Sequence, residues 1–189
     1  KEKRDGTIKG RTCAVGSKQR AYIKKEDATS PTVSTEAVLI TGVIDAYEER
    51  DVATADVPSA FLTTDSDEDE IMVLEGPLAE LMVKVDPSLY RRHITTTAKG
   101  KPLLYVKIHK AIYGLLRSAL LFYKKLVGDL ENYGFTINPY DPCVANMTIG
   151  GSQLTVVWHV DDLKMSHKDP FEVTRLCAYL NDIYPGLVV

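Results

Sequence analysis

The stretch that most limits what this chain can fold into runs from Val156 to His167, VVWHVDDLKMSH. An apolar, β-prone run stops at two adjacent aspartates and then resumes as a shorter mixed run. Like charges side by side at the end of a buried strand repel each other and are costly to desolvate. A hard divalent cation reverses that cost, because it takes carboxylate oxygens as ligands. The plain alternative is a solvated turn that happens to hold Asp161 and Asp162, and for an isolated pair that is the commoner case. Upstream, Cys143–Ile149 and Gln153–Val160 are rich in β-branched residues and flank Gly150-Gly151-Ser152, which predicts a β-hairpin leading straight into the carboxylates.

A chain of 189 residues, 44% hydrophobic and 26% charged, can bury one good core or one core and a small lobe. No apolar run approaches the roughly 20 residues that span a bilayer, so no membrane partner is expected. Cys13, Cys143 and Cys177 are odd in number and widely spaced. They match neither a metal-binding spacing nor a disulfide framework, which favours a reducing compartment. Residues 1–25 hold nine Lys/Arg against Glu2 and Asp5, a local charge of +7 that leaves −10 for the rest of a chain of net charge −3. A basic arm on an acidic body suits a protein that holds polyanions at one end and cations at the other, although an exposed lysine-rich terminus gives the same count.

Taken in order, Thr7–Val15 and Gln19–Ile23 around Gly16-Ser17 read as a basic β-hairpin, in which Lys9 and Arg11 share one face. Ala37, Leu39/Ile40, Val43/Ile44 and Tyr47 recur at helical spacing and predict an amphipathic helix from about Ser34 to Glu49. Asp51–Leu62 reads as a strand entering Asp56 and ending at Pro58, which lacks a backbone donor. The acidic run Asp65–Glu70 reads as a solvated loop. Ile71–Leu74 and Leu103–Ile108 read as strands, and Pro77–Val83 as a short helix with proline in its first turn. Ser118–Tyr133 is helical in pattern and Gly134 stops it. Asn138–Pro142 is a rigid turn. Asp169, Pro170 and Glu172 form a capping-box start for a last helix to about Ile183.

Several ordered motifs together resemble the reverse transcriptase of copia-type (Pseudoviridae) long-terminal-repeat retrotransposons. Lys9-Gly10-Arg11 through Gly16 and Gln19 resembles that family's basic fingers segment, and Asp56-Val57-Pro58-Ser59-Ala60-Phe61-Leu62 its first aspartate motif. Lys110-Ala111-Ile112-Tyr113-Gly114-Leu115 resembles its KALYGL stretch. Tyr140-Asp141-Pro142-Cys143 precedes the hairpin, and His159-Val160-Asp161-Asp162 stands where the family has Tyr-Val-Asp-Asp.

The resemblance implies an α+β fold, a right-hand polymerase palm with an antiparallel sheet and helices on one face, plus partial β-rich fingers. Residues 1–50 correspond to a fingers segment and 51–189 to the palm with inserted fingers elements, too short for a thumb. The implied activity is RNA-directed DNA synthesis: two-metal nucleotidyl transfer from a dNTP to a primer 3′-hydroxyl. Two Mg2+ ions, or Mn2+, need carboxylates from two separate elements, which Asp56 and Asp161 supply, with Asp162 auxiliary and the Val57 carbonyl completing a shell. Lys9, Arg11, Ala60, Phe61 and Arg117 correspond to nucleotide-binding positions, Phe61 to an aromatic gate against the ribose 2′-hydroxyl. The implied partners are an RNA or DNA template with primer, and the thumb, RNase H and integrase of a longer Pol polyprotein, in cytoplasmic virus-like particles. Two departures stand out: Arg117 replaces the glutamine expected after Tyr-Gly-Leu, and His159 replaces the tyrosine before the aspartates. A catalytically inactive, polymerase-like module that binds nucleic acid is the alternative reading.

Overall fold

A computed structural model describes Gly6, Gly10 and residues 12–189. In chain order the elements are helix α1 (Thr35–Tyr47), strands β1 (Asp51–Asp56) and β2 (Asp65–Glu75), and helices α2 (Pro77–Val85) and α3 (Pro87–Tyr90). Strands β3 (Thr95–Thr96) and β4 (Pro102–Lys110) and helix α4 (Ser118–Tyr133) follow. Strands β5 (Thr136–Ile137), β6 (Val144–Ile149), β7 (Ser152–His159) and β8 (Asp162–His167) and helix α5 (Pro170–Ile183) complete the chain. Helices and antiparallel sheets are mixed, as an α+β fold requires. The residues form two compact units: Asp65–Lys110, and the described residues up to Thr64 together with Ala111–Val189.

In the smaller unit β4 lies between β2 and β3, all antiparallel. Leu74, Ala79 and Leu104 form its core, with α2 preceded by Gly76 and started by Pro77. The acidic run Asp65–Glu70 belongs to β2 and is not the expected loop. The reason lies across the ladder: Lys107 Nζ is 2.6 Å from Asp69 Oδ1, and Lys110 Nζ is 2.6 Å from Asp65 Oδ1. Each pair is exposed and worth little alone. Together they relieve repulsion among neighbouring carboxylates, and the register slips between Asp65 and Glu70 to accommodate them.

The larger unit is built on a five-stranded sheet in the order β1-β8-β7-β6-β5. Alternation along the strands separates two faces. Ala55, Val156, Trp158, Leu163 and Met165 face the main core, where Phe122, Leu126 and Leu130 of α4 and Val173, Leu176 and Leu180 of α5 cover them. Gly134 ends α4 at φ +118°, its N–H donating to the carbonyls of Leu130 and Glu131, the glycine stop that the pattern predicts. Asp169 caps α5 by accepting from the N–H of Phe171, while the largely buried Glu172 carboxylate pairs with Arg175 and does not close a capping box.

The opposite face carries α1, and in a rotation the spacing does not suggest. Leu39, Ile40, Val43 and Tyr47 are exposed, and the helix turns Thr41 and Asp45 inward, where Lys164 donates to both. Its N-terminus is held by Asp141 of the Tyr-Asp-Pro-Cys motif. One carboxylate oxygen accepts from the N–H and hydroxyl of Ser34 at 2.9 and 2.8 Å, and the other from the N–H of Cys143 at 2.9 Å. The Ser34 hydroxyl oxygen in turn accepts from the N–H of Ala37. Thus Asp141 ties the cap of α1 to the start of β6.

The expected basic hairpin is corrected where it can be seen. Gly16–Ala21 is a 3-10 turn, so Gln19–Ile23 is not a returning strand. The Thr7–Arg11 part of that expectation, with Lys9 and Arg11, lies largely outside the described residues. Backbone contact explains the turn. The N–H of Ala14 donates to Tyr113 O at 2.7 Å, and the buried Gln19 side chain accepts from the N–H of Leu116 at 2.9 Å. Gly16 and Gly114 sit so close that a Cβ on Gly16 would lie 2.2 Å from Gly114 O. At φ +95°, a Cβ on Gly114 would lie 2.0 Å from Ala14 O.

The β7–β8 turn contains only Val160 and Asp161, because His159 pairs with Asp162. Right-handed strand twist favours turns with positive φ at the first central position, normally glycine or asparagine. Here that residue is Val160 at φ +59°, where a β-branched side chain is strained. Val160→Gly therefore raises the free energy of unfolding by about 1 kcal/mol in urea titrations, the relieved strain exceeding the added chain entropy. Asp141 supplies a pH-dependent test. Burial pushes its carboxyl up, but the three donors from Ser34 and Cys143 outweigh burial and hold it below the usual carboxylate value. A depressed folded-state pKa contributes stability above the unfolded value, near pH 4, that is lost as pH falls through the folded value. Asp141→Asn should lower stability at pH 7 and flatten the loss below about pH 4, measured by thermal melts across pH.

Candidate active site

β1 and β8 run antiparallel with Asp56 directly opposite Asp162, and β8 and β7 with Asp162 opposite His159. The three side chains therefore form a row across one face of the sheet, at the end where β1 stops before Pro58. The kind of pairing matters. Asp56 donates its N–H to Val188 O at 2.9 Å and accepts from the N–H of Val188 at 3.1 Å. Its backbone groups thus point away from β8, which makes Asp56–Asp162 a non-hydrogen-bonded pair, the closer kind, with Cα atoms about 4.5 Å apart. One residue on, the N–H of Val57 donates to Asp161 O at 3.0 Å. Asp56, Asp161 and Asp162 are therefore gathered at one corner of the sheet, although more than a hundred residues separate the first from the others.

Asp56 and Asp162 are exposed and Asp161 is half-buried at the turn. Like charges directly opposite each other destabilise a strand pair. Among the described residues, no three His, Cys, Asp or Glu side chains are disposed to hold a metal ion as they stand. Asp56 and Asp162 border a depression of about 520 Å³, lined also by Thr54, His159, Lys164 and apolar groups including Val33 and Val38.

Val57 and Ala60 are buried, their side chains in the main core, so only their backbone groups can face a ligand. Ser59, at φ +55°, turns the chain sharply between them. Phe61 is half-buried, its ring 4.6 Å from that of Tyr113 and 6.3 Å from that of Phe122. It thus packs against the core and against the Lys110–Leu115 stretch at once. Arg117 is half-buried at the N-terminal boundary of α4, one residue beyond Leu116, whose N–H is held by Gln19. The first aspartate motif, the Tyr-Gly-Leu stretch and the Gly16–Gln19 segment are thereby contiguous. Lys9 and Arg11 lie outside the described residues.

Two charged residues at this site escaped the reading of the sequence: Lys164 and Asp45. Lys164 stands two residues after Asp162 and shares its face. Its Nζ lies 2.6 Å from Asp45 Oδ2 and 3.0 Å from Thr41 Oγ1. The available signal was the alternation Asp162-Leu163-Lys164-Met165, which puts the lysine beside the carboxylate and off the core.

No curated protein matches the chain. A family model described as reverse transcriptase (RNA-dependent DNA polymerase) matches residues 1–183. That span takes in all three aspartates, the glycine contact and both faces of the sheet, and on it the chain belongs to the reverse transcriptase family.

Proposed function

We propose that this chain is the fingers–palm part of a copia-type retrotransposon reverse transcriptase, which extends a primer on an RNA or DNA template by two-metal nucleotidyl transfer. The observation that carries the reading is the non-hydrogen-bonded pairing of Asp56 with Asp162, with Asp161 on the adjoining turn. It collects hard oxygen donors from two separate elements, which suits Mg2+ and equally Mn2+. An exposed, mutually repelling carboxylate pair is a poor stabilising device and a good cation site.

In this reading Asp56 and Asp161 are the principal ligands, the Val57 carbonyl adds a donor, and Asp162 is an auxiliary that strengthens the negative field. The bound ions would lower the pKa of the primer 3′-hydroxyl and neutralise charge on the departing pyrophosphate. The chain's own residues do the positioning. The sheet fixes Asp56 between β8 and Val188, so the carboxylate is preorganised. Phe61, braced by Tyr113, blocks a ribose 2′-hydroxyl by bulk and so selects a dNTP. Lys9, Arg11 and Arg117 bind the triphosphate, where a guanidinium gives paired donors to phosphate oxygens. The new bond joins the 3′-oxygen to the α-phosphorus, and the α–β phosphoanhydride breaks. Residues 51–64 and 111–189 are the palm, with the fingers contributed by the segment before residue 50 and by the 65–110 insertion. The rest of a Pol polyprotein would supply thumb, RNase H and integrase, in cytoplasmic virus-like particles.

Primer extension on an RNA template tests this. Asp56→Asn and Asp161→Asn should each lower the rate at least about a thousandfold, and Asp162→Asn roughly tenfold to a hundredfold. Extension that survives in the first two variants, or salt-sensitive nucleic-acid binding with no extension by the unmodified chain, would falsify the polymerase reading in favour of a binding module.

A further inference from the structure

Among the described residues, Lys164 is a cation that stands on the carboxylate face of the sheet and is paired with a residue of α1. Lys164 follows Asp162 by two residues on the same strand and lies across from Thr54 of β1. Two residues along a strand span roughly 6.8 Å, which a lysine's four-carbon stem can cross. Turned along the sheet, its ammonium would reach the Asp56–Asp162 pair and form an internal ion pair there. The structure shows it turned the other way, into α1, with Asp45 Oδ2 at 2.6 Å and Thr41 Oγ1 at 3.0 Å. The pair is sheltered, its side chains 21% and 8% exposed, so salt screens it weakly.

Asp45 is itself positioned for this task. Its other oxygen is 4.0 Å from Arg50 Nη1, and Arg50, 4% exposed, also donates to Glu48 and to Thr155 Oγ1 on β7. Glu48 is shared with Lys168, 3.7 Å away. Arg50 is therefore neutralised chiefly by Glu48, which leaves Asp45 available to Lys164. A hydrophobic contact between α1 and the sheet would have served packing equally well. A charged pair costs desolvation, and it does something packing cannot: it fixes where a positive charge stands.

From this we infer that Asp45 is a positioning residue that holds Lys164 away from the Asp56–Asp162 carboxylates, keeping them available to a divalent cation. The inference rests on the cation-site reading above. If Asp45 is removed, the ammonium turns to the Asp56–Asp162 pair, one principal ligand and the auxiliary carboxylate beside it, and competes with the ion for that negative charge. Thr41 alone offers a neutral hydroxyl and does not retain it.

The test is Mn2+ binding by the full chain without nucleotide, followed by electron paramagnetic resonance of free Mn2+, with circular dichroism to check folding. Asp45→Ala should weaken the Asp161-dependent site roughly tenfold, the scale of a unit charge brought near a bound ion at a protein surface. Asp45→Ala combined with Lys164→Met should restore wild-type affinity, because the competing charge is gone. Lys164→Met alone should bind Mn2+ at least as tightly as the unmodified chain. If the double variant stays as weak as Asp45→Ala, Asp45 acts only by seating α1, and the inference is wrong. Wild-type affinity in a folded Asp45→Ala protein also overturns it. If the unmodified chain shows no Asp161-dependent Mn2+ binding, the cation-site reading fails first and takes this inference with it.

Discussion

One backbone choice governs the site: Asp56 turns its N–H and C=O toward Val188 and away from β8. In an antiparallel ladder that choice alternates along the strand, so it also sets which opposite pairs are close. Were the register shifted by one residue, Asp56 would face the core among Ala55 and Val57, and an apolar residue would take the corner. The two-residue β7–β8 turn fixes the same register from the other side, placing His159 against Asp162 and leaving Asp161 at the tip. Strain at Val160 fits this: a longer, relaxed loop would move Asp161 away from Val57. A site built of mutually repelling groups needs a frame that does not depend on those groups for its stability. Here the frame is the ladder and the apolar core beneath it.

The second constraint is steric and lies between segments a hundred residues apart. A Cβ on Gly16 would run into Gly114 and a Cβ on Gly114 into Ala14, and the Ala14–Tyr113 and Gln19–Leu116 hydrogen bonds seal the contact. Tyr113, on the far side of that contact, packs against Phe61. Residues that look like separate motifs are thus one mechanical unit, running from Ala14–Gln19 through Tyr113–Leu116 to Phe61 after Asp56. The glycines have a physical reason to be there whatever the site does, and the same holds for Asp141, which serves as an anchor for α1.

What could be read from the sequence follows from how local each signal is. The β6–β7 hairpin, α4 with its Gly134 stop, α5 from Asp169, and the end of β1 before Pro58 depend on turn chemistry, capping and periodicity within a few residues, and the structure has them. The acidic start of β2 was not legible, because two of its charges meet Lys107 and Lys110, some 40 residues on. Local pattern suggests turn and strand over Gly16–Ala21, because nothing nearby in the sequence announces that Gln19 will bond to Leu116. At the site, Asp56, Asp161 and Asp162 stood out as charges interrupting apolar runs. Lys164 and Asp45 did not, since a lysine near a strand end and an aspartate in a helix are ordinary until the register places them together.

Helix α1 shows why such pairs carry information that hydrophobicity lacks. With Val38, Leu39, Ile40, Val43, Ile44 and Tyr47 spread around it, the helix has apolar residues on nearly every side, so burial alone scarcely prefers one rotation. The observed rotation leaves several of those residues exposed and buries Asp45. Apolar area would not choose that arrangement; it is selected by the Lys164 and Arg50 contacts and by the Ser34–Asp141 anchor at the helix start. Buried ion pairs often add little net stability, yet an unpaired member is costly, so each excludes the rotations that break it. In this protein the polar contacts set the orientation of α1, and through Lys164 that orientation reaches the carboxylate corner.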